Sequence, residues 1–172
     1  MEERQIHHVD IEAPISDVWS EITKLRHIQK PMFNTILESD FKPGSHLLYR
    51  SKDGKRVFII GEILEFVPPR RFVHTFRFTA LPETPTLVEW TLEEHSAVTR
   101  VTIVHSRFTD QKKTADSVRG SWVAILGNVK SVVETGDVPR GTRIKHGLMQ
   151  AFMFMAPKST LRENVAELKD ER

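Results

Sequence analysis

Histidines are the side chains of this 172-residue sequence that could most readily take part in catalysis or ligand binding, since the sequence contains no cysteine. His74 lies between Phe72 and Phe76, and His105 follows Ile103 near the end of an apolar run. The two-residue period of a strand places both imidazoles among inward-facing side chains, where an unpaired ring nitrogen costs about 1–3 kcal/mol. Each imidazole therefore orients a polar group of a ligand, bonds to a neighbouring strand or is partly exposed at the rim, and the pattern leaves these alternatives open.

The sequence carries none of the familiar catalytic or metal-binding motifs. The lack of cysteine excludes disulfides, thiol nucleophiles and cysteine-ligated zinc. There is no HExxH, no GxSxG, no phosphate-binding glycine loop and no dinucleotide fingerprint. His7 and His8 are adjacent on a strand and point to opposite faces, so they cannot easily bind one metal ion together. Glu62 and Glu65 either line a cavity or form a solvated face. We expect no catalytic residues, no metal and no cofactor, which favours binding over catalysis.

Charge and hydropathy describe an ordinary globular chain. Lys and Arg number 25 against 23 Asp and Glu, which gives a net charge of +2. The basic pairs at residues 70–71 and 112–113 are short and interspersed with acids, so we expect no nucleic-acid partner. No apolar targeting segment opens the chain, and the longest apolar stretch, residues 147–156, is about half of the ~20 residues a membrane span needs. A cytoplasmic protein without a membrane span is expected.

Helical and extended patterns alternate along the chain in a definite order. A strand at residues 6–11 precedes apolar positions at helical spacing in residues 15–25, and Pro31 ends a short second helix. Turn signals then separate about six strands between residues 34 and 108, with a hairpin turn at residues 52–55. Gly61 within the strand 57–67 predicts a bulge or a close approach by another element. A long helix at residues 116–135, capped by Gly136, covers the apolar face of the sheet.

A sheet curved around one long helix encloses space, and large side chains are predicted to face it. They either fill this space as core or line a pocket for an apolar or aromatic ligand. The candidate lining set is Phe72, His74, Phe76, Phe78, Val88, Trp90, Val101, Ile103, His105, Val118, Trp122, Ile125 and Leu126.

Several segments together resemble a known superfamily. The run IEAPISDVW at residues 11–19 resembles the strand-to-helix entry of the helix-grip superfamily, which includes START and polyketide cyclase domains. Three further segments resemble its branch named for the activator of the heat-shock-protein-90 ATPase: GEILEFVPPRRF at residues 61–72, VTIVH at residues 101–105, and Gly120-Ser121-Trp122 with Leu126 and Lys130. At residues 29–33, QKPMF stands where the superfamily usually has a tryptophan-rich helix end.

The resemblance implies an α+β helix-grip fold, in which a curved antiparallel sheet of six or seven strands wraps around a long C-terminal helix. The implied element order is β-α-α-β-β-β-β-β-β-α. Members of the superfamily bind lipids, aromatic natural products or protein partners, or catalyse ring closure. Three functions stay open: non-catalytic binding of a small hydrophobic or aromatic molecule, regulation of a chaperone ATPase, and a cyclase- or hydrolase-like activity.

A helical extension, residues 137–172, is expected to follow the helix-grip domain of residues 1–136. Ile144, Leu148, Phe152 and Met155 share a helical stripe, and residues 160–163 resemble a capping box that opens a last helix. The run from 149 to 155 is too apolar to stand free in water. It is expected to pack on its own domain, to form a homodimer or chaperone contact, or to touch a membrane surface or the mouth of a ligand site.

Overall fold

Eight antiparallel strands form the body of the computed structural model, which describes residues 4–168. The strands are β1 (Gln5–Ile11), β2 (Ile28–Gln29), β3 (Thr35–Ser39), β4 (His46–Arg50), β5 (Val57–Val67), β6 (Arg71–Phe78), β7 (Thr86–His95) and β8 (Val98–Ser106). Their order in the sheet is β1-β8-β7-β6-β5-β4-β3-β2. Strands β2 to β8 are thus a continuous meander, and β1 joins it by pairing with β8. The predicted α+β helix-grip architecture is confirmed, with a slightly higher strand count than expected.

The predicted second short helix is wrong. Helix α1 (Ile15–Ile22) is followed by a turn and by the two-residue strand β2. The amide nitrogen of Gln29 donates to the carbonyl oxygens of Ile22 and Lys24, so this side chain ties the connection back to the end of α1. A second helix would separate these groups, and the apolar spacing of the sequence could not reveal this side-chain contact.

The long helix α2 (Lys112–Thr135) begins four residues earlier than predicted and ends as predicted at Gly136. Gly136 has a φ of 84°, a left-handed conformation that glycine adopts at little cost, and its amide donates to the Val132 carbonyl. The apolar face of α2, which includes Trp122 and Val129, packs with the concave face of the sheet in one core cluster. Burial of this face holds the helix within the curve of the sheet.

Gly61 marks a close approach, one of the two outcomes that its position predicted. A Cβ atom at this position would lie 1.8 Å from the carbonyl oxygen of Thr75 on the neighbouring strand β6. The pairing register of β5 with β6 also shifts between Ile63 and Glu65. Only glycine fits where the two backbones meet.

The extension begins with helix α3 (Arg140–Ala151) and continues as four short 3-10 turns. The predicted last helix is wrong, because the Thr160 hydroxyl donates to the Pro157 carbonyl and accepts from Arg56 instead of capping a helix. The amide of Arg162 donates to the Lys55 carbonyl, which ties this segment to the start of β5. Val165 and Leu168 form a second apolar cluster on the outer face of β4 and β5, together with Leu48, Val57 and Ile60.

Within residues 4–168, no helix is both long enough and apolar enough to cross a membrane.

Candidate functional site

Apart from Phe78, which is half-buried, the candidate lining residues are all buried. Those on the sheet come together because three strands place them side by side. His74 on β6 pairs with Val88 on β7, and Val88 pairs with His105 on β8. In the next inward row, Phe72 pairs with Trp90 and Trp90 with Ile103. Helix α2 closes this surface with Val118, Trp122, Ile125 and Leu126.

His105 is the centre of a buried chain of hydrogen bonds. The indole nitrogen of Trp122 donates to His105 Nδ1 at 3.0 Å. His105 Nε2 lies 2.7 Å from Thr86 Oγ1, and the Thr86 hydroxyl donates to the carbonyl of Phe76. Since Nδ1 accepts a hydrogen bond, the proton of the neutral ring lies on Nε2 and is donated to Thr86. Burial lowers the pKa of His105 to about 3, so the ring is neutral near pH 7.

His74 is satisfied by its own strand. Its Nδ1 donates to the Thr75 carbonyl at 2.8 Å, and its ring stacks on Phe72 with centroids 5.5 Å apart. Burial lowers the pKa of His74 to about 4. Both imidazoles are thus neutral, and each has a partner within the fold.

Aromatic rings pack against one another between the sheet and α2. Phe72 and Trp90 stack with centroids 5.5 Å apart, and Trp90 meets Trp122 edge to face at 5.8 Å. Phe76 contacts both His105 and Trp122. This part of the candidate set therefore forms a packed aromatic core.

A small cleft opens at one end of this aromatic core. Its volume is about 10 Å³, which is room for about one water molecule. Apolar side chains and a few polar groups line it, from α1, the turn around β2, strands β4 and β7, and α2: Glu21, Ile22, Gln29, Pro31, Met32, Tyr49, Trp90 and Val129.

Two residues of this cleft carry buried polar atoms without a partner. Trp90 Nε1, a donor, and Gln29 Oε1, an acceptor, make no hydrogen bond to any residue between 4 and 168. The two bonds that the Gln29 amide nitrogen makes to backbone carbonyls fix the orientation of this amide. Tyr49 adds a phenol whose pKa is raised by burial, so it stays protonated. Unmade hydrogen bonds of this kind cost about 1–3 kcal/mol each, so a native fold keeps few of them without a reason.

The cleft is covered by the segment between α1 and β3, residues 23–34, which we call the cover segment. It contributes Gln29, Pro31 and Met32 to the lining. Arg26, Phe33 and Asn34 have φ values of 59°, 55° and 57°, in the left-handed region that side chains other than glycine adopt at a cost.

Helix α3 holds the cover segment from outside. The ring of His146 lies 5.2 Å from that of Phe33, and the amide of Gln150 donates to the Asn34 carbonyl. Lys30 also forms an ion pair with Asp137 at 3.0 Å, just before α3. The extension is therefore in direct contact with the segment that closes the cleft.

The other chemistry-bearing residues lie away from the cleft. Glu62 is exposed, and Glu65 bonds to Arg71, which also bonds to Glu89, so these acids form a solvated face. Burial, with a smaller contribution from Arg119, lowers the pKa of His7. In the described part of the chain, no three His, Asp or Glu side chains are grouped so that they could hold a metal ion.

Gln29, Met32 and Tyr49 are site residues that the sequence reasoning missed. Tyr49 is the sole tyrosine of the chain, and it lies on a strand whose alternation gave no reason to single it out. The one hint in the sequence was the QKPMF run at residues 29–33, which departs from the superfamily pattern and contributes three residues to the cleft.

Residues 12–134 match the family model described as activator of Hsp90 ATPase homolog 1-like protein. The chain belongs to this family. Membership of the activator of Hsp90 ATPase homolog 1-like family confirms the resemblance seen in the sequence. No curated protein matches the chain in sequence.

Solved structures of several differently named proteins have the same fold as this chain. CalU16 from Micromonospora echinospora is 19% identical, with a TM-score of 0.62, over 90% of this chain and 88% of CalU16. The Aha1 dimer from Colwellia psychrerythraea is 18% identical, with a TM-score of 0.64, over 78% and 98%. An Hsp90 activator from Plasmodium falciparum is 15% identical, with a TM-score of 0.63, over 76% and 96%. At these identities the likeness supports the fold alone.

Proposed function

We propose that this protein binds, without catalysis, a small and largely apolar molecule that carries one hydrogen-bonding group. The site is the cleft beside Trp90, between the sheet and α2. The observation that carries the proposal is a pair of buried atoms without a partner among residues 4–168, Trp90 Nε1 and Gln29 Oε1, in residues that line one apolar cleft.

The chemistry of these atoms specifies the ligand group. Trp90 Nε1 needs an acceptor, Gln29 Oε1 needs a donor, and a hydroxyl or an amide supplies both. The phenol of Tyr49 is a third group at the same cleft. Ile22, Pro31, Met32 and Val129 offer only apolar contact, so the remainder of the ligand is apolar or aromatic.

Binding requires the cleft to widen, and the cover segment is the part that can move. Met32 is unbranched and adapts its shape to a ligand, unlike the packed rings behind it. The left-handed residues on both sides of β2 store conformational cost, which a second arrangement of the segment would release. Outward displacement of residues 29–32 would join the cleft to solvent without disturbing the aromatic core.

The groups present favour binding over catalysis. His105 uses both ring nitrogens within the fold, and His74 donates Nδ1 to its own strand. Neither histidine lines the cleft. Glu21 is the one carboxyl at the cleft, and it is paired with Lys24. A general acid and base facing the same ligand atom would be needed for a cyclase- or hydrolase-like reaction.

Titration calorimetry with 2-naphthol, and with naphthalene as the analogue without a hydroxyl, tests this proposal. We expect saturable binding of 2-naphthol that is weakened roughly fivefold in Trp90→Phe, which removes the donor and keeps an aromatic ring. Trp19→Phe is the matched control, because Trp19 packs on Phe66 and Phe72. Equal affinity for the two ligands, or equal loss in both variants, would contradict the proposed role of Trp90.

A second candidate is a protein-interaction module that regulates a chaperone ATPase. Family membership favours it, as do the names of two fold neighbours, the Aha1 dimer and the Plasmodium Hsp90 activator. The test is the ATPase rate of Hsp90 from the same host with and without this protein. Concentration-dependent stimulation would support this candidate, and an unchanged rate would exclude it.

A further inference from the structure

The end of helix α3 and the turn after it carry a concentration of exposed apolar side chains. Six large apolar residues within twelve positions are exposed: Ile144, Leu148, Met149, Phe152, Phe154 and Met155. Except for Met149, these side chains are between 58% and 73% exposed. Folded proteins rarely leave so many neighbouring large apolar groups in water unless the surface meets another surface.

The geometry of α3 directs its apolar stripe away from the body. Thr142, His146 and Gln150 lie four residues apart on the inner face, where His146 is buried. Ile144, Leu148 and Phe152 each follow one of these by two positions, about 200° around the helix. The stripe therefore points outward.

The turn that carries Phe154 and Met155 is held in place by the fold. The guanidinium of Arg56 donates to the carbonyl oxygens of Phe154, Ala156 and Pro157 at 3.1–3.4 Å. The two most exposed large apolar side chains of residues 4–168 are thus presented by a hydrogen-bonded backbone that continues the stripe of α3.

The segment that carries this stripe is rich in basic residues, although Arg143 is paired with Asp137 and Arg162 with Glu38. Residues 138–162 contain five basic residues and no Asp or Glu, although the whole chain has a net charge of only +2. The basic residues are Arg140, Arg143, Lys145, Lys158 and Arg162. By helical position, Arg140 and Lys145 flank the apolar stripe on opposite sides. An exposed apolar stripe with a basic rim is the pattern of a helix that lies in the surface of an anionic membrane.

We propose that α3 and the turn through Met155 form an interfacial segment that docks on an anionic lipid bilayer. The apolar stripe enters the boundary between headgroups and acyl chains, and the basic rim contacts anionic headgroups. A second copy of the chain is a poorer occupant, because a two-fold contact would place the same basic rim against itself.

Vesicle co-sedimentation of the full chain tests this proposal. We expect the protein to pellet with phosphatidylcholine vesicles that contain 30% phosphatidylglycerol, to bind pure phosphatidylcholine at least about tenfold more weakly, and to be released from the anionic vesicles at high salt. The double variant Leu148→Ser/Phe152→Ser should lose roughly tenfold or more in partitioning, since it removes buried apolar area. Val123→Ser, at an exposed position on α2, is the matched control and should bind like the unmodified protein.

Three outcomes would overturn the proposal. The first is no binding to anionic vesicles, and the second is binding that the double variant leaves unchanged. The third is a stable dimer in analytical ultracentrifugation that the double variant dissociates, which would assign the stripe to a second copy. Circular dichroism of each variant checks that the fold is retained.

Discussion

Trp122 on the long helix donates a 3.0 Å hydrogen bond to His105 on the last strand, and it thereby fixes the tautomer of a buried imidazole. The bond links the two halves of the grip, the helix and the sheet, at their centre. It requires a neutral ring, because a protonated His105 has no lone pair left to accept it. Because the bond exists only while His105 is neutral, the stability of the fold depends on pH.

Stability should fall as the pH falls through the ordinary histidine range. His105 and His74 have folded-state pKa values of about 3 and about 4, against 6.5 when unfolded. Between about pH 6.5 and 4 the unfolded state binds more protons, so the free energy of unfolding decreases by up to about 1.4 kcal/mol per pH unit for each histidine. Urea unfolding at several pH values measures this slope.

The variant His105→Gln should remove about half of that slope, since glutamine can accept from Trp122 and donate to Thr86 without titrating. His95→Gln, at the exposed end of strand β7, is its control for the loss of one histidine. Identical slopes for all three proteins would show that His105 does not titrate as the geometry requires.

Gly61→Ala should destabilise the fold by about 2–3 kcal/mol or more, because the new Cβ would lie 1.8 Å from the Thr75 carbonyl oxygen and the strands would have to separate. Gly120→Ala is the contrasting control, with open space around its Cβ and a helical position that favours alanine by up to about 1 kcal/mol. Thermal unfolding measures both. A Gly61→Ala protein as stable as the unmodified chain would refute the close approach.

Val165→Ala should destabilise the protein by about 1–2 kcal/mol, since this side chain is buried against Leu48, Val57 and Ile60 on the outer face of the sheet. Val67→Ala, at a half-exposed strand position, should cost less than about 0.5 kcal/mol. Chemical denaturation compares the two. Equal small effects would mean that the extension does not pack on this face.

His146→Ala should loosen the cover segment without unfolding the protein, because it removes the ring that packs on Phe33 from outside. The expected result is faster hydrogen exchange of backbone amides between residues 24 and 34, with α2 unchanged. Met149→Ala, on the exposed side of α3, is the control. Unaltered exchange in His146→Ala would show that α3 does not restrain the cover segment.

Sequence patterns predicted the fold where one face of an element is buried and the other is not. The alternation in β6, β7 and β8 and the apolar stripe of α2 located the core and the inward imidazoles correctly. Gly61 and Gly136 predicted a backbone contact and a helix end, because in each case the backbone geometry there suits glycine.

The patterns failed where single side chains decide the path of the chain. A two-residue strand such as β2 is too short to show an alternation of apolar and polar residues. The Gln29 side chain ties it to α1 by donating to backbone carbonyls, which every residue type has, so the partner residues give no signal in the sequence. Thr160 resembled a helix cap, but its hydroxyl accepts a hydrogen bond from Arg56, about a hundred residues away in the sequence. The cleft was missed for a similar reason, since its lining comes from five parts of the chain and it is marked by two polar atoms that have no partner among the described residues.

The most direct test of the binding proposal follows the indole N–H signals of the three tryptophans in ¹⁵N-labelled protein titrated with 2-naphthol. We predict that the Trp90 signal, assigned by its loss in Trp90→Phe, moves saturably toward a hydrogen-bonded position. The Trp122 signal should stay in place, since this indole already donates to His105. Naphthalene should not produce the Trp90 shift. A Trp90 signal that does not respond to 2-naphthol would contradict the account.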